Sequence, residues 1–233
     1  MFAINHAATA LVFKKKFPEV KMLWLLLSVQ FIEFIWVGLN FMGLEKTSTE
    51  PVVNYVGDIH LYHMPFSHSI LSSLFLSIAA YVMVKYFTKS RKTALVISMA
   101  VASHIILDLL VHAKDIPLSF ISADTKLGTQ LYSLFPYIAF TVEFAYGIFC
   151  WFYFKGSLKL LYVIIGFNLA NFTIFSPHIV GLESIFANQT VLMVSVILFQ
   201  IIVTLYLVGK LSVGKRFEGR KERKLSNELE PIG

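Results

Sequence analysis

Long apolar runs separated by short polar stretches dominate the chain. A helix needs roughly 20 predominantly apolar residues to cross a hydrocarbon core. Six runs qualify: Met22–Leu44, Pro65–Phe87, Thr93–His112, Leu131–Phe154, Leu158–Ser176 and Thr190–Leu211. The pattern predicts an all-α integral membrane protein with about six transmembrane helices. Basic residues fall in alternate connections. Lys14, Lys15 and Lys16 precede the first run; Lys85, Lys89, Arg91 and Lys92 follow the second; Lys155 and Lys159 follow the fourth; and a cluster from Lys210 to Lys224 follows the sixth. Cytoplasmic loops are the ones enriched in Lys and Arg, so both termini are expected in the cytoplasm. Residues 1–13 are apolar but too short to span, which predicts a short N-terminal interfacial or re-entrant helix. No internal repeat is visible. The simplest organisation is a single polytopic membrane domain over 1–214, followed by a charged, disordered cytoplasmic tail over 215–233.

Composition agrees with this pattern. Hydrophobic residues make up 57% of the 233 and charged residues only 15%, with a mean hydropathy of +0.71. A soluble domain of this size would carry more surface charge. The net charge of +6 sits at span ends, where topology accounts for it, and no nucleic-acid partner is implied. The lone Cys150 excludes an internal disulfide. No small-residue cleavage site follows the first apolar stretch, so the first span is expected to act as its own insertion signal. The expected partner is the lipid bilayer; composition leaves the oligomeric state open.

The informative residues are the ionisable ones inside the apolar runs, because such groups are costly in lipid and mark sites. His104, Asp108 and His112 recur every fourth residue and so share one helix face. His68, near the start of the second run, should lie at the depth of Asp108. Gln30 and Glu33 in the first run and Glu143 in the fourth reach mid-membrane. Several helices thus place polar groups at matching heights, which predicts a shared cavity opening outward. The plainer reading is structural: His104–Asp108 as a pair tying helices together, His112 as a solvated span end, and Asn168 and Asn171 as packing residues.

Imidazole with carboxylate suits a divalent metal, zinc first, with manganese and iron admitted by the same donors. His68, His104 and Asp108 can supply three ligands, and His63 or His112 a fourth. Glu33 is placed to act as general base. Gln30, Ser67, Ser69, Ser103 and Glu143 are candidates to hold substrate oxygens or orient the ligands. The chain has no G-x-S-x-G elbow, no H-E-x-x-H and no P-loop.

These motifs resemble a family of bacterial inner-membrane metal-dependent hydrolases. The family pattern has an early His, an acidic motif, an H-R-G-x-T-H-S box and an S-H-x-x-x-D helix followed by a Pro-containing loop. The matching residues here are His6, the box His63-Met-Pro-Phe-Ser67-His68-Ser69, the helix Ser103-His104-Ile-Ile-Leu-Asp108, and the loop Asp115-Ile-Pro117-Leu118 with Lys126-Leu-Gly128. The resemblance covers roughly Asn5 to Glu143. It implies a bacterial cytoplasmic-membrane hydrolase that uses metal-activated water. The His-x3-Asp spacing is also similar to that of zinc-dependent phospholipases C, and with an outward-facing site at headgroup depth it suggests a lipid-associated ester or phosphoester as the substrate. Two departures stand out. The family's D-x-D is replaced by Gln30-Phe-Ile-Glu33, which offers one carboxylate, and the Arg-Gly of the box is replaced by Met64-Pro65. His6 precedes the Lys14–Lys16 run, so it can join the site only if residues 1–13 dip deeply into the bilayer. Two other functions use the same residues: an ion or proton relay in a transporter, and bis-histidine haem binding by His68 and His104.

Overall fold

The computed structural model describes residues 1–121, 125–179 and 181–212; the tail expected over 215–233 lies outside them. The fold is mostly helical. Helix α1 spans Ala3–Lys16, α2 Met22–Val29, α3 Phe31–Phe41, α4 Ile70–Thr88, α5 Arg91–Leu109, α6 Leu131–Leu134, α7 Pro136–Phe154, α8 Leu158–Ala170 and α9 Thr190–Ser212. Local signals set several starts. Ser69, Ser90 and Ser157 cap α4, α5 and α8 by accepting from the backbone N–H three residues on. Pro136 opens α7, where its missing N–H costs nothing.

Four helices, α4, α5, α7 and α9, are long and apolar enough to cross a membrane. The first predicted span is broken. Helices α2 and α3 meet at Gln30 with a bend of 49° and together make a fifth candidate. The fifth predicted run yields only the 13-residue α8, about 20 Å long and short of a full crossing.

Helix α1 differs most from expectation. Every residue from Ile4 to Leu11 is buried, and the helix packs against α2, α5, α7, α8 and α9. Such a helix is not interfacial. Ala7, Ala8 and Ala10 are fully buried, and their small side chains let the surrounding backbones approach closely. Its Asn5 is satisfied inside the bundle: Asn5 Nδ2 donates to Glu143 Oε2 at 2.8 Å and to Asn168 Oδ1 at 3.0 Å. Gly147 of α7 makes room for this, since a Cβ there would lie 2.7 Å from Asn5 Oδ1.

Two small hairpins were not legible as strands. Strand β1 (Lys46–Thr49) pairs antiparallel with β2 (Ile59–His63), with Lys46 opposite His63. Strand β3 (Ile116–Pro117) pairs with β4 (Lys126–Leu127). Gly128 closes the second hairpin at φ +141°, and a Cβ there would fall 2.0 Å from the Ala113 carbonyl oxygen, so only glycine fits. Just beyond it, Gln130 N–H donates to the His112 carbonyl and Tyr132 N–H to that of Val111. The hairpin therefore fixes the segment after α5.

Candidate metal centre

Asp108 is the hub. It lies in the last turn of α5, 1% exposed. Its Oδ1 is 3.2 Å from His6 Nε2, 3.6 Å from His112 Nε2 and 2.6 Å from the Met1 ammonium. Its Oδ2 is 3.2 Å from His104 Nε2 and 3.7 Å from His68 Nε2. Four imidazole nitrogens thus surround one carboxylate. Two donors sharing a tetrahedral zinc at ordinary bond lengths stand about 3.3 Å apart, so these separations suit a common ion. His6, His104 and Asp108 form one set whose ligand atoms lie within 4.8 Å of one another, and Glu33, His68 and His104 form a second. The two sets share His104.

Hydrogen bonds orient the rings. The His104 Nδ1 faces the Val29 carbonyl at 2.9 Å. That carbonyl lies at the α2–α3 break, so the bend supplies the acceptor. With Nδ1 carrying the proton, Nε2 is left bare toward Asp108. His68 is held through a relay: its Nδ1 is 2.8 Å from Ser67 Oγ, and Ser67 Oγ donates to Glu45 Oε2 at 2.5 Å. Glu45 Oε1 accepts from Phe66 N–H and Ser67 N–H, each at 2.8 Å. Burial pushes the Glu45 carboxyl up from its ordinary pKa, against the pull of these hydrogen bonds.

Asp108 Oδ1 already has the Met1 ammonium as a cation, but other donors of the cluster have no partner. His104 Nε2 and Asp108 Oδ2 are both fully buried and make no hydrogen bond, although they are 3.2 Å apart; His6 Nδ1 is likewise unpaired. Each such group costs roughly 1–3 kcal/mol. An ion between the nitrogen and the oxygen would satisfy both, and the donor set fits zinc. The His6 and His104 rings stack at 3.9 Å, which two protonated imidazoles would resist.

The other predicted residues divide. Glu33 borders the cluster as part of the second set. His112 lies just past the helix end, 12% exposed, with its Nδ1 3.5 Å from Asp115; it belongs to neither set among the described residues. His63 is exposed on β2, because the hairpin turns it away, and it too is in neither set. Gln30 donates to the Ala3 carbonyl at 2.8 Å and anchors α1. Glu143 accepts from Phe2 N–H, Asn5 and Tyr132, so it holds the start of α1 rather than bordering the metal donors. Ser69 is the α4 cap, and Ser103 bonds back to the Ala100 carbonyl. Ser67 alone of the serines acts on a ligand. His6 enters fully, because α1 is buried. Glu45 was missed: it sits beyond the first apolar run, with no spacing that ties it to His68.

A cavity of about 170 Å³ adjoins the cluster. Glu33, His68 and His112 bring the site to its wall, and Trp36, Ile174, Phe186, Met193 and Ile197 make that wall largely apolar. Comparison with protein-family models, with curated proteins and with solved structures finds no match to this chain. What the site does is therefore argued from its geometry.

Proposed function

We propose that the protein is a membrane-embedded, metal-dependent hydrolase acting on a lipid-associated ester or phosphoester. The observation that carries this reading is the convergence of His6, His68 and His104 on Asp108, with His104 Nε2 and Asp108 Oδ2 buried and unpaired. His6, His104 and Asp108 would hold the ion, with His68 completing the set. When bound, a divalent ion supplies Lewis acidity and makes hydroxide available near neutral pH. Glu33 lies at the cavity wall within reach of His68 and His104, placed to take a proton from water or return it to a leaving group. Glu45 and Ser67 keep His68 in one tautomer. The largely apolar wall lowers the local dielectric beside the cluster and so strengthens these interactions. In the same proposal the chain crosses the bilayer with both termini cytoplasmic. Lys14, Lys15 and Lys155 gather at the α9 end around Ser212, as the positive-inside rule requires of a cytoplasmic face.

The break between α2 and α3 favours one rival, since transporters bind ions at discontinuous helices. The test is metal analysis of wild type against His6→Ala, His68→Ala, His104→Ala and Asp108→Ala. Turnover of ester and phosphoester probes and metal flux in liposomes are measured in parallel. The hydrolase reading expects stoichiometric metal in wild type, its loss in His104→Ala and Asp108→Ala, and turnover. Unchanged metal in all four variants, or flux without turnover, would overturn it.

A further inference from the structure

The cavity beside the cluster is large for a water site and wrong for a small polar substrate. Its walls are built from Trp36, Ile174, Phe186, Met193 and Ile197, contributed by α3, the turn after α8, the turn before α9, and α9 itself. Polar side chains reach it chiefly where the cluster does, at Glu33, His68 and His112, and at the linked amides Asn171 and Gln200. An apolar cavity of about this size stays dry and takes a hydrocarbon group of one ligand.

Trp36 adds a direction. It is 3% exposed and lines the cavity, and its indole Nε1 has no hydrogen-bond partner. A buried N–H without an acceptor is costly, and no described residue supplies one. The ring lies edge-on to His68 at 6.4 Å, which sets the indole beside the cluster. Indole donates only. Its partner must offer an oxygen lone pair and must share the cavity with hydrocarbon.

We propose that this chamber binds a single-chain amphiphile, with its hydrocarbon chain against Ile174, Met193 and Ile197 and a carbonyl or phosphoryl oxygen accepting from Trp36 Nε1. This rests on the hydrolase reading and names the substrate class of that site. The chain gives affinity, since each methylene moved from water into an apolar wall is worth about fourfold. The indole gives register, holding the ester or phosphoester beside the cluster. Selectivity for chain length then resides in α9 and selectivity for the head in Trp36.

The experiment measures binding to full-length protein in amphipol. The probes are n-alkyl phosphates and methyl n-alkanoates of two to twelve carbons, with n-octyltrimethylammonium as a probe that offers no acceptor. Affinity should rise about fourfold per methylene and then level off. Trp36→Phe, which keeps the aromatic wall, should weaken the oxygen-bearing probes about tenfold and leave the ammonium probe unchanged. Ile197→Trp should flatten the chain-length dependence while metal content stays at the wild-type value. Preference for one of the two series identifies the head and supports the proposal, as does equal binding of both. Affinity independent of chain length overturns it, as does an Ile197→Trp profile equal to wild type. Trp36→Phe binding that matches wild type removes the head assignment. Metal content separates the two readings: chain binding lost with metal retained refutes the substrate class alone, and chain binding intact without metal refutes the hydrolase alone.

Discussion

Replacing Ser67 with alanine tests whether the relay from Glu45 to His68 prepares the metal donors. Ser67 Oγ sits between Glu45 Oε2 and His68 Nδ1, and all three residues are buried. Glu45 keeps two backbone donors at 2.8 Å after the change, so the carboxylate stays in place and the loss falls on His68. A ligand bound through Nε2 must carry its proton on Nδ1. Without Ser67 that N–H is buried with no acceptor, at a cost of about 1–3 kcal/mol. The metal-free ring escapes the cost by changing tautomer or turning, and the metal-bound ring cannot. The difference lowers affinity about 5- to 150-fold, overlapping the roughly 10–100-fold expected when the group orienting a metal-bound histidine is removed. The assay is competition against a chelator of known affinity on detergent-solubilised protein, with thermal unfolding measured alongside. Ser103→Ala is the control, because that hydroxyl only bonds back to the Ala100 carbonyl, and it should bind metal as wild type does. A Ser67→Ala protein within twofold of wild type would refute the relay, and so would an equal loss in Ser103→Ala.

Two further outcomes follow from the same coordinates. Gly128→Ala places a Cβ 2.0 Å from the Ala113 carbonyl oxygen at φ +141° and should destabilise by at least about 3 kcal/mol; thermal unfolding checks it, and an unchanged midpoint counts against the hairpin geometry. Burial raises the Glu45 pKa, so its contribution to stability is full below the ordinary carboxyl value and is lost as pH rises through the raised one. Wild type should therefore lose stability relative to Glu45→Gln as pH rises from the ordinary carboxyl value through the raised one, and a constant difference across that rise would contradict the assignment.

His104 and Asp108 were legible because a helix converts a spacing of four into a shared face. His68 was legible because helix rise converts position into depth. Neither rule reaches His6. Its helix has 14 residues and carries Asn5, His6 and Thr9, so hydropathy assigns it to a surface. Only the surrounding bundle makes that helix a core element, and the one hint was the cluster of alanines at Ala7, Ala8 and Ala10. His63 failed for the opposite reason: the motif placed it beside His68, but the β1–β2 hairpin turned it outward. Glu45 and Trp36 gave no periodic signal. One acts through a serine, and the other reads as an ordinary aromatic within an apolar run.

The position of α1 sets an order of assembly. Asn5 bonds to Glu143 and Asn168, 138 and 163 residues further along. Asn5 is thus housed by helices made well after it. Until α7 and α8 arrive, the Asn5 amide has no partners in lipid, which penalises it there. Residues 1–16 must wait, with Lys14–Lys16 as their tether at the basic end, and slot in after the later helices have formed. His6 travels with them. A chain interrupted before α7 would therefore carry His68, His104 and Asp108 without His6, and the completed donor set marks the arrival of α7 and α8.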